Sequence, residues 1–124
     1  MGAKHARTDL PDGVIVLDKP VGPTSTQCLN RIKRALGKVK LGHGGTLDPL
    51  ATGVLLVLIG QGTKIAPYLT QGAKVYQGAL KLGLSTDTYD IQGEVTAEPG
   101  CAGVNAESVR QAIQDWAGLT QQET

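Results

Sequence analysis

Asp48 is the only carboxylate in a glycine-rich segment, residues 41–53 (LGHGGTLDPLATG). Glycine allows positive φ angles and a close approach of another molecule to the backbone, and Pro49 disfavours helix at the residue before it. An aspartate is ordinarily ionised at neutral pH, so Asp48 could serve as a nucleophile, a general base, a metal ligand or a turn-former. For an arbitrary Asp-Pro turn the turn-forming role is favoured.

The residues near Asp48 restrict the other chemistries. His43 is close in sequence, but no third ligand has the spacing of a metal site, so we expect no metal. The sequence lacks the nucleophile elbow of a serine hydrolase. No GxGxxG follows a strand, so no dinucleotide site is predicted. His43 is either a satisfied loop histidine or a contact to a bound base. A metal-dependent hydrolase is the weakest of the alternatives.

The elements that must position Asp48 can be read from periodicity. Residues 54–59 (VLLVLI) lie between Gly53 and Gly60 and predict a strand buried on both faces. Residues 13–18 (GVIVLD) predict a first strand. A helix is predicted from a Thr24 or Ser25 cap to Leu36, with a stop at Gly37. The loop that contains Asp48 therefore leads directly into a sheet.

The second half of the chain alternates between strands and helices. Residues 73–83 have period two and predict a strand that carries Tyr76, and residues 94–97 predict an edge strand. A short helix is predicted over residues 64–70, and a final helix is predicted after Asn105. Together these elements predict an α+β fold, with a mixed, mainly antiparallel sheet and helices packed on it. Residues 1–9 are expected to be a mobile tail, and residues 10–124 one domain.

Composition sets broad limits on function. The 124 residues are 40% hydrophobic and carry a net charge of +1, which suits one globular domain. Basic residues are concentrated in the amino-terminal part, a modest indication of an anionic partner. For three of them (Arg31, Lys33 and Arg34) a solvated helix face is favoured over phosphate contact. Two distant cysteines and no membrane-spanning run predict a cytoplasmic protein.

Four ordered motifs resemble one family. Residues 42–53 (GHGGTLDPLATG) resemble the catalytic motif of the tRNA pseudouridine synthase B (TruB) family, usually GHTGTLDPLATG, with Gly44 at the position of the threonine. Residues 13–25 are similar to its G-[strand]-DKPxGxTS motif. Residues 74–76 (KVY) are similar to its KxY motif, and residues 82–93 to its LGxxTDTxDxxG motif. This long match favours a chemical role for Asp48 over the turn-forming role.

The resemblance implies a cofactor-free isomerisation of uridine to pseudouridine at position 55 in the T loop of tRNA. It implies that Asp48 is the nucleophile, that Tyr76 stacks on the target uracil, and that His43 helps to hold the flipped nucleotide. Lys19 would orient the motif or contact phosphate. From its place in a strand alone, Tyr76 would be assigned ordinary packing. Asp87 and Asp90 are expected to shape their loop rather than react.

Members of the family are about twice this length or more, and their second half supplies a further tyrosine, an arginine that pairs with the catalytic aspartate, and much of the RNA-binding surface. We therefore expect an amino-terminal portion of the catalytic domain with an incomplete pocket, and a sheet with an unpaired edge or an exposed apolar face. The alternative is a truncated RNA-binding fragment without turnover. The expected partner is the T-stem loop of tRNA, bound by a monomer if the chain is complete.

Overall fold

The computed structural model of the chain describes residues 10–118 and 121. Contacts divide the chain into two compact units that join between Val75 and Tyr76. The first unit contains β1 (Gly13–Lys19), α1 (Ser25–Leu36), β2 (Leu41–His43), β3 (Gly53–Ile59), a 3₁₀ helix (Gly60–Ile65) and α2 (Ala66–Thr70). The second contains β4 (Ser85–Thr86), β5 (Val95–Ala97) and α3 (Ala106–Trp116).

The first unit is built on an antiparallel sheet with the strand order β1-β3-β2. Its central strand β3 pairs with β1 along its whole length, from Gly13 opposite Ile59 to Lys19 opposite Gly53. Exposure alternates along β1, because successive side chains of a strand point to opposite faces. The more buried face of β1 carries Ile15, Leu17 and, at its end, Lys19.

Helix α1 covers this face. Thr24 and Gln27 form a capping box at its start, and Gly37 ends it with φ 87°, a conformation that glycine adopts without strain. The bounds predicted for this helix are confirmed. The core joins Cys28 of α1 to Leu55 and Val57 of β3, and apolar side chains of β1, α1 and the Asp48 loop pack around it. Each fully buried side chain of this kind contributes about 1.5–3 kcal/mol.

The opposite face of the sheet is only partly covered. Leu58 is fully buried, whereas Val16 is 68% and Val54 65% exposed. The prediction that residues 54–59 are buried on both faces is therefore wrong at Val54 and right toward Ile59, which is also buried. The predicted apolar exposure of the sheet is confirmed at Val16 and Val54.

The second unit contains fewer regular elements than predicted. Strands β4 and β5 pair antiparallel, and α3 begins at an Asn105 capping box, as predicted. Residues 73–83 form no strand, however, and the side chains from 73 to 82 are exposed, with Val75 at 94% and Leu80 at 83%. The strand predicted there is wrong because alternation records a pattern of side chains, whereas a strand also needs a hydrogen-bonded neighbour.

The class of the fold agrees with the prediction, since the described residues combine α-helices with antiparallel strands in a mixed α+β arrangement. The tail predicted for residues 1–9 lies outside the described residues. Within the described part of the chain, no helix has both the length and the apolar character needed to cross a bilayer.

Candidate active site

Asp48 lies in the loop that connects β2 to β3. The pairing of these strands continues for one residue beyond β2, since Gly44 N donates to Leu56 O at 2.9 Å. The chain then turns at Asp48, whose carbonyl accepts a hydrogen bond from Ala51 N at 3.0 Å. The Asp48 side chain is exposed, and its carboxylate forms no hydrogen bond with any residue that the structure describes. The turn therefore uses the Asp48 backbone and leaves the carboxylate available.

A buried serine fixes the residue before Asp48. Ser25, the first residue of α1, is 1% exposed. Its Oγ accepts a hydrogen bond from Leu47 N at 2.9 Å and donates one to Leu47 O at 3.1 Å. Leu47 also packs against the core cluster. Both backbone groups of Leu47 are thus tied to the start of α1, which removes rotational freedom from the peptide that leads into Asp48.

A buried lysine fixes the residue after Asp48. Lys19, the last residue of β1, is fully buried, and its Nζ donates to Pro49 O at 3.3 Å and to Pro20 O at 2.8 Å. Gly22 N donates to the same Pro49 carbonyl at 2.8 Å. A buried ammonium is costly unless it is hydrogen-bonded, so these carbonyls hold Lys19 as much as Lys19 holds the loop.

His43 ends β2 and is half-buried. Its Nδ1 lies 2.7 Å from Gly45 O. A carbonyl oxygen can only accept, so Nδ1 carries the proton in this contact, and Nε2 of the neutral ring is left as a hydrogen-bond acceptor. His43 is therefore a satisfied loop histidine through one nitrogen, and the other nitrogen keeps the chemistry needed to contact a base.

Tyr76 differs from the other candidate residues in its surroundings. It is the first residue of the second unit, it lies outside regular secondary structure, and it is 70% exposed. Asp48, His43 and Lys19 all belong to the first unit. The structure therefore assembles three of the four predicted residues in one unit, and the stacking of Tyr76 on a base stays a prediction.

The comparison with known proteins identifies the family. A family model described as "TruB family pseudouridylate synthase (N terminal domain)" matches residues 33–124, which is most of the chain. The chain belongs to the TruB family.

Relatives in the TruB family extend over nearly the whole chain. It is 53% identical over 112 residues to tRNA pseudouridine synthase B of Nitratidesulfovibrio vulgaris (strain Miyazaki F), covering 90% of this chain and 36% of that protein. It is 45% identical over 114 residues to tRNA pseudouridine synthase B of Synechococcus sp. (strain CC9311), covering 92% and 38%. The chain thus spans little more than a third of the length of these relatives. A chain of the solved structure titled "Crystal Structure of a Cbf5-Nop10-Gar1 Complex" is 51% identical over 44% of this chain and 17% of that chain, with a TM-score of 0.43.

The departure from the usual TruB motif at Gly44 has a local packing counterpart. A Cβ atom at Gly44 would lie 3.3 Å from Leu69 Cδ1 and 3.4 Å from Leu56 Cβ, which is tight for a carbon contact. Leu69 of α2 therefore occupies the space beside residue 44. A side chain at this position would require the Leu69 side chain to shift by a few tenths of an ångström.

The contact of Ser25 with Leu47 is not predicted by the sequence, which indicates Ser25 only as an alternative to Thr24 for the helix cap. The residue that caps α1 is Thr24, and this leaves the Ser25 hydroxyl for Leu47. No local pattern pairs residues 25 and 47. The burial of Lys19 has a clearer signal in the sequence, because the period of two in β1 places it on the same face as Ile15 and Leu17.

Among the described residues no group of three or more His, Cys, Asp or Glu side chains could hold a metal ion. The arrangement instead presents one exposed carboxylate on a backbone that is fixed on both sides. Such a group can attack an electrophilic carbon without first breaking a hydrogen bond to its own protein. The preorganised backbone also reduces the entropic cost of aligning it with a substrate.

Proposed function

We propose that this chain carries the nucleophile of a tRNA pseudouridine synthase that isomerises uridine 55 in the T loop, and that Asp48 is that nucleophile. One observation supports the proposal above the others. The Asp48 carboxylate is exposed and unbonded to the described residues, while Leu47 and Pro49 on either side are held by buried side chains. Membership of the TruB family and the names of its relatives support the reaction class.

The reaction is an isomerisation that needs neither an oxidant nor a reductant. Asp48 attacks the ribose or the base ring of the target nucleotide, and the N1–C1′ glycosidic bond breaks. The uracil rotates, C5 bonds to C1′, and the bond to Asp48 is released. N1 gains a proton, and the hydrogen originally on C5 is lost to solvent as a proton. The atoms of uridine and pseudouridine therefore balance, apart from this exchange with water.

The other predicted residues have supporting roles in the proposal. Tyr76 offers an exposed aromatic ring on which a base removed from its stack can lie. The Nε2 atom of His43 can accept a hydrogen bond from the flipped nucleotide. The contacts of Lys19 with Pro20 O and Pro49 O support the orienting role rather than direct contact with phosphate. By this proposal the protein acts in the cytoplasm on the T-stem loop of tRNA.

Release of tritium from C5 tests the proposal directly. A T-stem-loop RNA that contains uridine tritiated at C5 is incubated with the chain and with its Asp48→Ala variant. Because the chain spans little more than a third of the length of its relatives, we expect slow release from the parent chain. We expect a loss of more than about a thousand-fold in the variant, because a covalent nucleophile has no substitute. Zero release from both, with RNA still bound, would favour the alternative of an RNA-binding module without turnover.

A matched variant separates chemistry from folding. Asp90→Ala removes another exposed carboxylate, one that bonds to its own loop, and should leave tritium release within about two-fold of the parent chain. Equal losses in the Asp48 and Asp90 variants would contradict the assignment of Asp48, since the effect would then follow from removing charge or from unfolding.

A further inference from the structure

The outer side of α1 lines an open depression of about 780 Å³. Its walls are polar or cationic apart from one proline, and we call it the basic groove: Pro23, Gln27, Asn30, Arg31, Lys33 and Arg34. Positions 27, 31 and 34 follow the three- and four-residue spacing that aligns side chains along one side of a helix. The opposite side of α1 packs on the sheet through Cys28, with Leu29 and Ile32 around it.

Within residues 10–118, no carboxylate pairs with the cations of the basic groove. From Lys19 to Leu47 the sequence contains no Asp or Glu. Within the described residues, the ion pair that forms joins Arg110 to Glu107 on α3, and Arg31, Lys33 and Arg34 bond to no described side chain. All three are exposed. The guanidinium donors are therefore available to an anion, and a concave surface of one charge sign raises the local concentration of anions.

A solvated helix face explains these residues only in part. Lys33 and Arg34 lie in the last turn of α1, where cations favourably oppose the helix dipole. That effect falls off within one turn, so it does not account for Arg31. Gln27 is accounted for by the capping box that it forms with Thr24, but neither the helix dipole nor this cap gives a reason for Asn30 to line the same depression. Amide and guanidinium groups together are the donors that commonly bond to phosphate oxygens.

The basic groove has a fixed position relative to Asp48. Ser25 begins α1 and bonds to Leu47, so the helix and the aspartate loop are joined at that point. With a rise of 1.5 Å per residue, Arg31 lies about 9 Å and Arg34 about 14 Å along the helix from Ser25. The side of the helix from Gln27 to Arg34 is about 10 Å long.

We propose that the basic groove binds the phosphate backbone of the RNA that delivers its uridine to Asp48, an inference that rests on the proposed function. Arg31 and Arg34 provide the charged contacts, and Asn30 adds a neutral hydrogen-bond donor. The contacts are to phosphate oxygens, so the groove contributes affinity and register and does not read the base sequence.

Fluorescence anisotropy tests the proposal with the complete 124-residue chain and a labelled T-stem-loop RNA, titrated at several salt concentrations. In Arg31→Gln/Arg34→Gln two charges are removed with little change of shape. We expect binding about ten-fold weaker at moderate salt. The slope of log affinity against log salt should fall in magnitude by about 1.4–1.8, the contribution of two phosphate contacts. The affinity of the glutamine variant for a scrambled RNA of equal length should fall by the same factor.

Two control variants make the result specific. Lys64→Gln/Arg110→Gln removes two exposed cations outside the groove and should keep the parent slope. Arg31→Lys/Arg34→Lys retains the charge and should also keep the slope. The proposal is overturned if the parent chain binds no RNA, if the glutamine variant keeps the parent slope, or if the control glutamine pair loses as much as the groove pair.

The test is independent of turnover. If the groove variant binds RNA as tightly as the parent chain and Asp48→Ala releases no tritium, the groove proposal is refuted and the proposed function is retained. Weakened binding in the groove variant together with full tritium release from Asp48→Ala would refute the assigned nucleophile and leave the groove in place.

Discussion

Two loops of this chain carry aspartates, and the two are held in different ways. The loop between β2 and β3 is fixed by Ser25 and Lys19, which are remote from it in sequence. The loop between β4 and β5, residues 87–94, is fixed by hydrogen bonds among its own side chains and backbone groups. Asp87 Oδ1 accepts from Glu94 N at 2.9 Å, and Asp90 Oδ1 accepts from Gln92 N at 2.8 Å and from Thr88 Oγ1 at 2.7 Å.

Asp87 and Asp90 therefore stabilise their loop through their carboxylates, whereas the Asp48 loop leaves its carboxylate exposed. The carboxylate oxygens of Asp87 and Asp90 accept hydrogen bonds from local amides and a hydroxyl, which confirms the prediction that they shape their loop. Asp48 contributes its backbone carbonyl to its turn, and the residues on either side of it are held by Ser25, by Lys19 and by the backbone amide of Gly22. External support of this kind leaves the oxygens of Asp48 unused by the described residues, as the proposed covalent mechanism requires.

The strongest test of this comparison exchanges carboxylates for amides in both loops. Asp48→Asn should reduce tritium release by more than about a thousand-fold and change the free energy of unfolding by less than about 0.5 kcal/mol. Asp90→Asn should show the opposite pattern, with turnover retained and the free energy of unfolding lowered through weakened loop hydrogen bonds. Urea unfolding and tritium release measure the two quantities, and a destabilised Asp48→Asn would break the distinction.

The next test concerns the support from Ser25. Removing its hydroxyl in Ser25→Ala leaves Leu47 N without its partner in a buried place, which should cost about 1–3 kcal/mol of unfolding free energy. Tritium release should also fall, because the peptide before Asp48 is no longer fixed. The measurements are urea unfolding and turnover below the unfolding transition.

The chain offers a matched serine for that experiment. Ser108 Oγ accepts from Asn105 N at 3.1 Å and donates to Asn105 O at 2.9 Å, the same pattern of bonds on an exposed helix end. Ser108→Ala should cost no more than about 1 kcal/mol and leave turnover unchanged. If Ser25→Ala and Ser108→Ala lower the free energy of unfolding by the same amount, burial does not increase the contribution of the Ser25 contact.

The predictable and unpredictable parts of the fold divide along similar lines. The elements β1, α1, β3 and α3 follow from periodicity and caps because those signals lie within each segment. The contact of Ser25 with Leu47 links segments 22 residues apart, and no local pattern encodes it. The strand predicted over residues 73–83 was wrong for a related reason, since the alternation is local but the hydrogen-bonding neighbour is not.

A third test sharpens the comparison by disturbing the Asp48 loop through packing alone. Gly44→Thr restores the residue usual in the family motif but places its Cβ close to Leu69 and Leu56. We expect a loss of about 1–2 kcal/mol from overpacking. Gly44→Thr/Leu69→Ala should lose less than the sum of the two single changes, because the smaller side chain leaves room for the threonine. Additive losses in urea unfolding would mean that Leu69 does not set the space at residue 44.

The smallest expected effect is a pH dependence confined to the self-supported loop. The hydrogen bond from Thr88, followed by that from Gln92 N, lowers the pKa of Asp90 below its ordinary value. Because the folded pKa is the lower one, the contribution of Asp90 to stability is complete above the unfolded value. It is lost as the pH falls through the folded value. Thr88→Val removes the largest cause, so a carboxyl NMR titration should show the pKa of Asp90 rising toward its ordinary value. An unchanged midpoint would mean that the Thr88 hydroxyl does not stabilise the charged form, and the account of a loop held by its own carboxylates would lose one of its three bonds.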